Sequence, residues 1–178
     1  MVDLLGFVDS HRDNPLGKGQ QTSREITING VLLATVASQA YGHDVDAATP
    51  LVDEFTELVP PFLRALTGGP VKDELREGRV ALGYCPVCLD SSCGNLFAAT
   101  LILSARHVEW RDLGYELECF GTLEKRFGGR LGYFRAVSHP PEEWWVPDPI
   151  HPELRLRFDR LRYESVIDAE LEHVWERQ

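Results

Sequence analysis

Three of the four cysteines of this 178-residue chain lie close together, at Cys85, Cys88 and Cys93, in the run YCPVCLDSSCGN. Two thiolates separated by two residues can bind one tetrahedral zinc ion, because a tight turn brings both sulfur atoms to the same side. Cys93 is near enough in sequence to supply a third sulfur. The spacing therefore predicts a structural zinc site.

The fourth zinc ligand is less directly specified. Counting residues along a hairpin predicted over 96–119 brings Cys119 opposite Cys93, so Cys119 is the favoured ligand. Asp90 and His107 are the alternatives. A different interpretation for Cys119 is that it packs as a small apolar residue, because it shares a strand face with Leu117.

A second chemistry also uses this motif. The arrangement Cys85-Pro86-x-Cys88 is typical of glutaredoxins, in which a helix N-terminus lowers the pKa of the first thiol. Here the residues after Cys88 read as a turn and then as a strand, so the activating helix is not evident. Zinc binding is therefore preferred, and a thiol oxidoreductase or redox sensor is the alternative function.

Composition restricts the class of protein. The hydrophobic content of 43% suits one compact domain, and no run approaches the ~18 apolar residues that a membrane span requires. The N-terminus also lacks the pattern of a secretory signal, so we expect a cytoplasmic protein. Cytosolic thiols stay reduced, which favours a metal or redox role for clustered cysteines over disulfides.

The net charge of −10 bears on the partner. It disfavours nucleic acid and anionic membranes unless the basic residues are strongly segregated. A basic protein partner is favoured instead, although acidity for solubility alone explains the same charge. The sequence leaves the oligomeric state open.

The periodicity predicts an α+β fold, a single domain with one antiparallel sheet packed against three or four helices. The helices are expected near 31–41, 49–67 and 160–175, with Asp159 as the cap of the last one. Thr49 and Pro50 are read as the start of the second helix, and Pro60-Pro61 as a point where it breaks or restarts. A short strand near Leu4 and a loosely attached N-terminal segment, 1–24, precede an Asn29-Gly30 turn.

The clearest predicted element is the hairpin over 96–119, with the cysteine-rich turn at its open end. A turn centred on Ala105-Arg106 gives the cross-strand pairs Leu103 with Val108 and Leu101 with Trp110. The alternation of apolar residues then shifts by one position. A β-bulge within 112–114 would account for this shift.

A second candidate site lies in the run SHPPEEWWVPDPIHP, over 138–152. Its prolines preclude regular structure, and Trp144 and Trp145 sit beside Glu142 and Glu143. We take these four residues as a candidate binding surface. The alternative is a proline-rich loop pinned by two anchoring aromatic side chains.

Other catalytic patterns do not occur. The chain has no Gly-rich phosphate loop after a strand, no Gly-x-Ser-x-Gly elbow and no His-Glu-x-x-His helix. No catalytic residue is therefore predicted.

The cysteine motif and the hairpin together resemble a family of uncharacterised actinobacterial proteins. The shared pattern is Cys-Pro-x-Cys-x-Asp-x-x-Cys-Gly followed by a strand that ends in Val-x-Trp-x-Asp-Phe-Gly. The matching residues are Cys85, Pro86, Cys88, Asp90, Cys93, Gly94, Val108, Trp110, Asp112 and Gly114. Leu89 stands where the family commonly has glycine, and the pattern does not include Cys119. The resemblance implies no established activity.

These observations give one hypothesis. The chain is expected to be a non-enzymatic, zinc-stabilised binding protein, such as an inhibitor or immunity-type partner of a basic protein. Its predicted metal ligands are Cys85, Cys88, Cys93 and Cys119, and its predicted binding residues are Trp144, Trp145, Glu142 and Glu143.

Overall fold

The computed structural model describes residues 2–13, 19–42, 44–45, 47–52, 57–71, 75, 78–85, 96–116 and 154–176. Within these residues the fold is α+β, with two antiparallel sheets and three helices, where one sheet was predicted. The strands are β1 (Leu5–Asp13), β2 (Gln20–Ile28), β3 (Val31–Leu32), β4 (Arg79–Gly83), β5 (Leu96–Leu103), β6 (His107–Glu116) and β7 (Leu156–Asp159). The helices are α1 (Leu33–Tyr41), α2 (Val59–Ala65) and α3 (Arg160–Glu176).

The first sheet has the order β1-β2-β3. Asn29 and Gly30 connect β2 to β3 with φ values of 54° and 80°, the left-handed conformations that a tight hairpin turn requires. The predicted turn is confirmed. β1 is longer than the predicted strand near Leu4, because it pairs with β2 along its whole length to Asp13.

The second sheet has the order β4-β5-β6-β7 and contains the predicted hairpin. The pairs Leu103 with Val108 and Leu101 with Trp110 are confirmed. The bulge is confirmed too: Ala98 pairs with Gly114 but Thr100 pairs with Arg111, so β6 has one extra residue. Asp112 takes up that residue with a φ of 50°.

Isolated bridges join the two sheets at both edges. Asp3, just before β1, pairs in parallel with Phe158 of β7. On the other side, Val52 pairs with Ser23 of β2 and Ala48 pairs with Tyr84, which follows β4. The segment 47–52 therefore acts as a strap between the two sheets.

This strap corrects the predicted helix over 49–67. Thr49 does not cap a helix; its hydroxyl donates to the carbonyl of Arg24, and its backbone N–H donates to Oε2 of Glu25 at 3.1 Å. Pairing with β2 satisfies the backbone here and leaves no helix at Thr49. The helix α2 begins at Val59 with Pro60 in its first turn, so the structure agrees with a helix that restarts at Pro60-Pro61. Proline is tolerated there because the first turn needs no backbone donor.

The core is centred on three aromatic side chains. Trp110 of β6, Phe158 of β7 and Tyr163 of α3 are nearly fully buried and pack with ring centroids 5.0–6.0 Å apart. Asp159 caps α3, as predicted, by accepting a hydrogen bond from the N–H of Arg162 at 3.1 Å. The sheet and α3 are thus fastened at one end of β7.

No helix in the described part of the chain has both the length and the apolar character needed to cross a bilayer.

Candidate functional site

The cysteine site begins at one end of the four-stranded sheet. Gly83 of β4, Phe97 of β5 and Tyr115 of β6 form one cross-strand row. Tyr84 then exchanges two backbone hydrogen bonds with Ala48, at 2.7 and 2.9 Å, and Cys85 follows it. Cys85 is half-buried. The backbone on its N-terminal side is therefore held firmly by the strap.

The neighbouring strands end at the same level. Leu96, the first residue of β5, is fully buried and pairs with Glu116, the last residue of β6. The chain before Leu96 carries Cys93, and the chain after Glu116 carries Cys119. These two cysteines are each three residues from that pair.

Most predicted site residues lie outside the described residues. Of the predicted metal ligands the structure describes Cys85 alone, and Cys88, Cys93 and Cys119 fall in the remaining parts of the chain, as does Asp90. The four residues of the proline-rich run, Trp144, Trp145, Glu142 and Glu143, are also outside. Among the residues that can be described, no three histidine, cysteine or carboxylate side chains gather in a way that could hold a metal ion.

His107 does not lie near the cysteine site. It is the first residue of β6, whereas Glu116 is the last, and ten strand residues extend about 30 Å. The side chain of His107 instead contacts Arg157, whose terminal nitrogen lies 3.0 Å from Nδ1. The alternative in which His107 shares an ion with Cys85 is excluded by this distance.

A buried arginine that the sequence analysis missed fixes the bulge. Arg79 is 2% exposed, and one of its terminal nitrogens donates to Oγ1 of Thr100 and to the carbonyl of Asp112, both at 3.1 Å. The Thr100 hydroxyl in turn donates to Oδ2 of Asp112 at 3.0 Å. Nothing in the run RVALGY distinguishes Arg79 from an exposed strand residue.

This network matters for the cysteine site because it sets the register. Without the extra residue at Asp112, each residue of β6 after Asp112 would pair with the β5 residue one position earlier in the sequence. Its side chain would also face the opposite side of the sheet. Leu96 would then lie opposite Tyr115 instead of Glu116. Arg79, Thr100 and Asp112 thus determine which residues leave the sheet opposite one another.

A second buried charge lies away from the cysteines. Glu170 of α3 is 4% exposed and accepts two hydrogen bonds from the guanidinium of Arg24 in β2, one of them at 2.7 Å. Asp9 adds a third contact to Arg24 at 2.9 Å. The hydrogen bond to Glu170 raises the pKa of Arg24 above its ordinary value. This cluster joins α3 to the first sheet and is a structural contact.

The buried hydroxyl of Tyr163 is likewise structural. It accepts from Nε1 of Trp110 at 3.1 Å and donates to the carbonyl of Leu66 at 2.9 Å. Burial raises the pKa of Tyr163 far above its ordinary value, because a phenolate there would lose its hydration. The group therefore stays neutral and links β6, α3 and the end of α2.

No family model, curated protein or solved structure matches the chain. The resemblance to actinobacterial proteins stays a prediction.

Proposed function

We propose that the chain is a non-enzymatic binding protein whose fold is stabilised by one zinc ion, with Cys85, Cys88, Cys93 and Cys119 as its ligands. In this proposal the chain is a single domain, and the cysteine turn closes the open end of the β5–β6 hairpin. The protein works in the cytosol, where the thiols stay reduced and available to a metal.

The observation that carries the proposal is that β4, β5 and β6 have their termini side by side at one end of the sheet. Cys85 follows the row through Gly83, and Leu96 pairs with Glu116 at the same end of the sheet. Three residues span at most about 10 Å. Cys93 is therefore at most about that distance from Leu96, and Cys119 at most about that distance from Glu116. This placement supports convergence of sulfur atoms from three chain segments.

Zinc would supply folding free energy at this position. In small metal domains zinc binding contributes about 10 kcal/mol or more, and the thiols must lose their protons to bind. Leu96 is fully buried at this end of the sheet, so a closed, four-coordinate ion suits the position better than an open catalytic one.

The metal is tested by elemental analysis of protein purified without a histidine tag. We expect about one zinc per chain. Cys119→Ser should weaken retention of zinc against a chelator, whereas His107→Ala, the matched control, should leave it unchanged. Zinc-free protein with four reactive thiols would contradict the proposal. If one thiol of that protein also ionises well below about 8.5, the redox alternative is favoured.

The proposed partner is a basic protein, and the net charge of −10 supports it. Exposed carboxylates such as Asp168 and Glu172 on α3 contribute to this charge. A protein captured by pull-down on the immobilised chain would be purified. Its affinity for the chain would then be measured at ~50 and at ~200 mM salt. We expect the affinity to fall with salt, and to fall further in the Trp144→Ala/Trp145→Ala variant. Binding that ignores both changes would contradict this part of the proposal.

A further inference from the structure

The arginines of this acidic chain are segregated. Two short segments, 104–111 and 155–164, carry six arginines against three carboxylates. The pairing of β6 with β7 brings these segments side by side. A locally positive surface therefore lies on a chain whose net charge is −10.

The strand register places several of these side chains on one face. Glu109 pairs with Arg157, and the alternate residues of β7, Leu156 and Phe158, are buried in the core. Because successive side chains of a strand point to opposite sides, Arg157 faces away from the core. We call the group His107, Glu109, Arg111, Arg155 and Arg157 the arginine face. The side chains of Arg157 and Arg111 are 51% and 35% exposed.

The arginine face already holds one carboxylate. Arg111 donates to Oε2 of Glu109 through two nitrogens, one of them Nε at 2.8 Å, and Nε of Arg157 lies 3.7 Å from Oε1. The hydrogen bond from Arg111 lowers the pKa of Glu109, and the charges of Arg157 and Arg155 lower it further. Asp159, opposite His107, lies on the same side of β7, but its carboxylate accepts the capping hydrogen bond from the N–H of Arg162. Positive charge therefore remains around the guanidinium groups that surround Glu109.

The guanidinium of Arg157 is also held in position. One terminal nitrogen lies 3.0 Å from Nδ1 and 3.2 Å from Nε2 of His107. Its backbone is fixed as well, because its N–H donates to Oδ2 of Asp3 at 2.9 Å. An oriented guanidinium loses less conformational entropy when it binds a ligand.

We propose that the arginine face binds an extended acidic peptide segment of another protein. Arg157 pairs with Glu109, and Arg111 is two residues further along β6, so Arg111 and Arg157 occupy diagonal cross-strand positions about 7 Å apart. Carboxylates at alternate positions of an extended peptide have the same spacing, and arginine forms bidentate pairs with each. A long polyanion fits less well, because its outlying phosphates would meet the acidic remainder of the surface. The inference is independent of the zinc site and of the basic partner.

The probe is a fluorescently labelled peptide of alternating glutamate and threonine, about ten residues long, with glutamine replacing glutamate in the control peptide. We expect the chain to bind the glutamate peptide more tightly, with an affinity that falls between ~50 and ~200 mM salt. Arg111→Ser/Arg157→Ser should weaken binding at least about tenfold. Arg64→Ser, which removes an exposed arginine of α2, should change it less than about twofold.

A variant that binds the peptide more tightly gives a second test, because misfolding cannot explain a gain of affinity. Glu109→Gln removes the competing carboxylate charge, so it should tighten peptide binding and steepen the salt dependence. Equal binding of the two peptides, or an unchanged affinity in Glu109→Gln, would overturn the proposal. A single-stranded oligonucleotide of matched charge that binds more tightly than the peptide would also overturn it, in favour of nucleic acid.

Discussion

Tyr163→Phe should lower the free energy of unfolding by more than the loss of one hydrogen bond would, because two buried groups lose their partner. The Tyr163 hydroxyl accepts from Trp110 Nε1 and donates to the carbonyl of Leu66, and all three groups lie in the core. Phenylalanine keeps the ring but leaves a buried donor and a buried acceptor without this partner. Each unsatisfied buried group costs about 1–3 kcal/mol, so we expect a loss of about 2–4 kcal/mol.

Urea denaturation followed by circular dichroism measures this loss, with an unchanged m-value showing that the unfolding reaction is the same. Tyr41→Phe is a comparison in the same assay. The Tyr41 hydroxyl is also buried and donates to the carbonyl of Leu113 at 2.6 Å, so its removal should cost about 1–3 kcal/mol. A loss below about 0.5 kcal/mol for Tyr163→Phe would refute the reasoning.

The remaining predictions concern charge and backbone. Glu170→Gln should lower the free energy of unfolding by about 2–4 kcal/mol, since the Arg24 guanidinium loses a buried counter-charge; a change below about 1 kcal/mol in urea denaturation would contradict this. Gly68→Ala should cost more than Gly78→Ala in the same assay. Both have positive φ, but only at Gly68 would a Cβ meet a side-chain atom, at 2.6 Å. The Glu109 carboxyl should titrate below its ordinary pKa by NMR. Its stabilising contribution is then present at neutral pH and is lost as the pH falls through the lowered value, whereas an ordinary midpoint would contradict the ion pair.

Local patterns predicted the hairpin correctly. The alternation through Val108 and Trp110 fixed its register, and the shift in that alternation located the bulge at Asp112. The same kind of reasoning identified the Asn29-Gly30 turn. These features depend on residues within a few positions of one another, and the conformational preferences of those residues decide the outcome.

The helix expected at Thr49 shows where local reasoning fails. Thr-Pro followed by two acidic residues has the composition of a helix start. In the structure, β2 pairs with this segment through its backbone and through the side chain of Glu25. Backbone groups that a first helical turn would leave unpaired are satisfied in this way. The competing partner lies about 25 residues away, so no local pattern could indicate it.

By itself the sequence determined the α+β composition, the hairpin with its bulge, the capped C-terminal helix and the clustering of cysteines. The tertiary structure alone decided that Arg79 is buried at the bulge and that Glu170 pairs with Arg24, 146 positions away. It also decided that Glu109 and Arg157 share one face. The physical reason is that burial and charge pairing depend on which distant segments fold together, whereas periodicity and turn preferences act between neighbours in the chain.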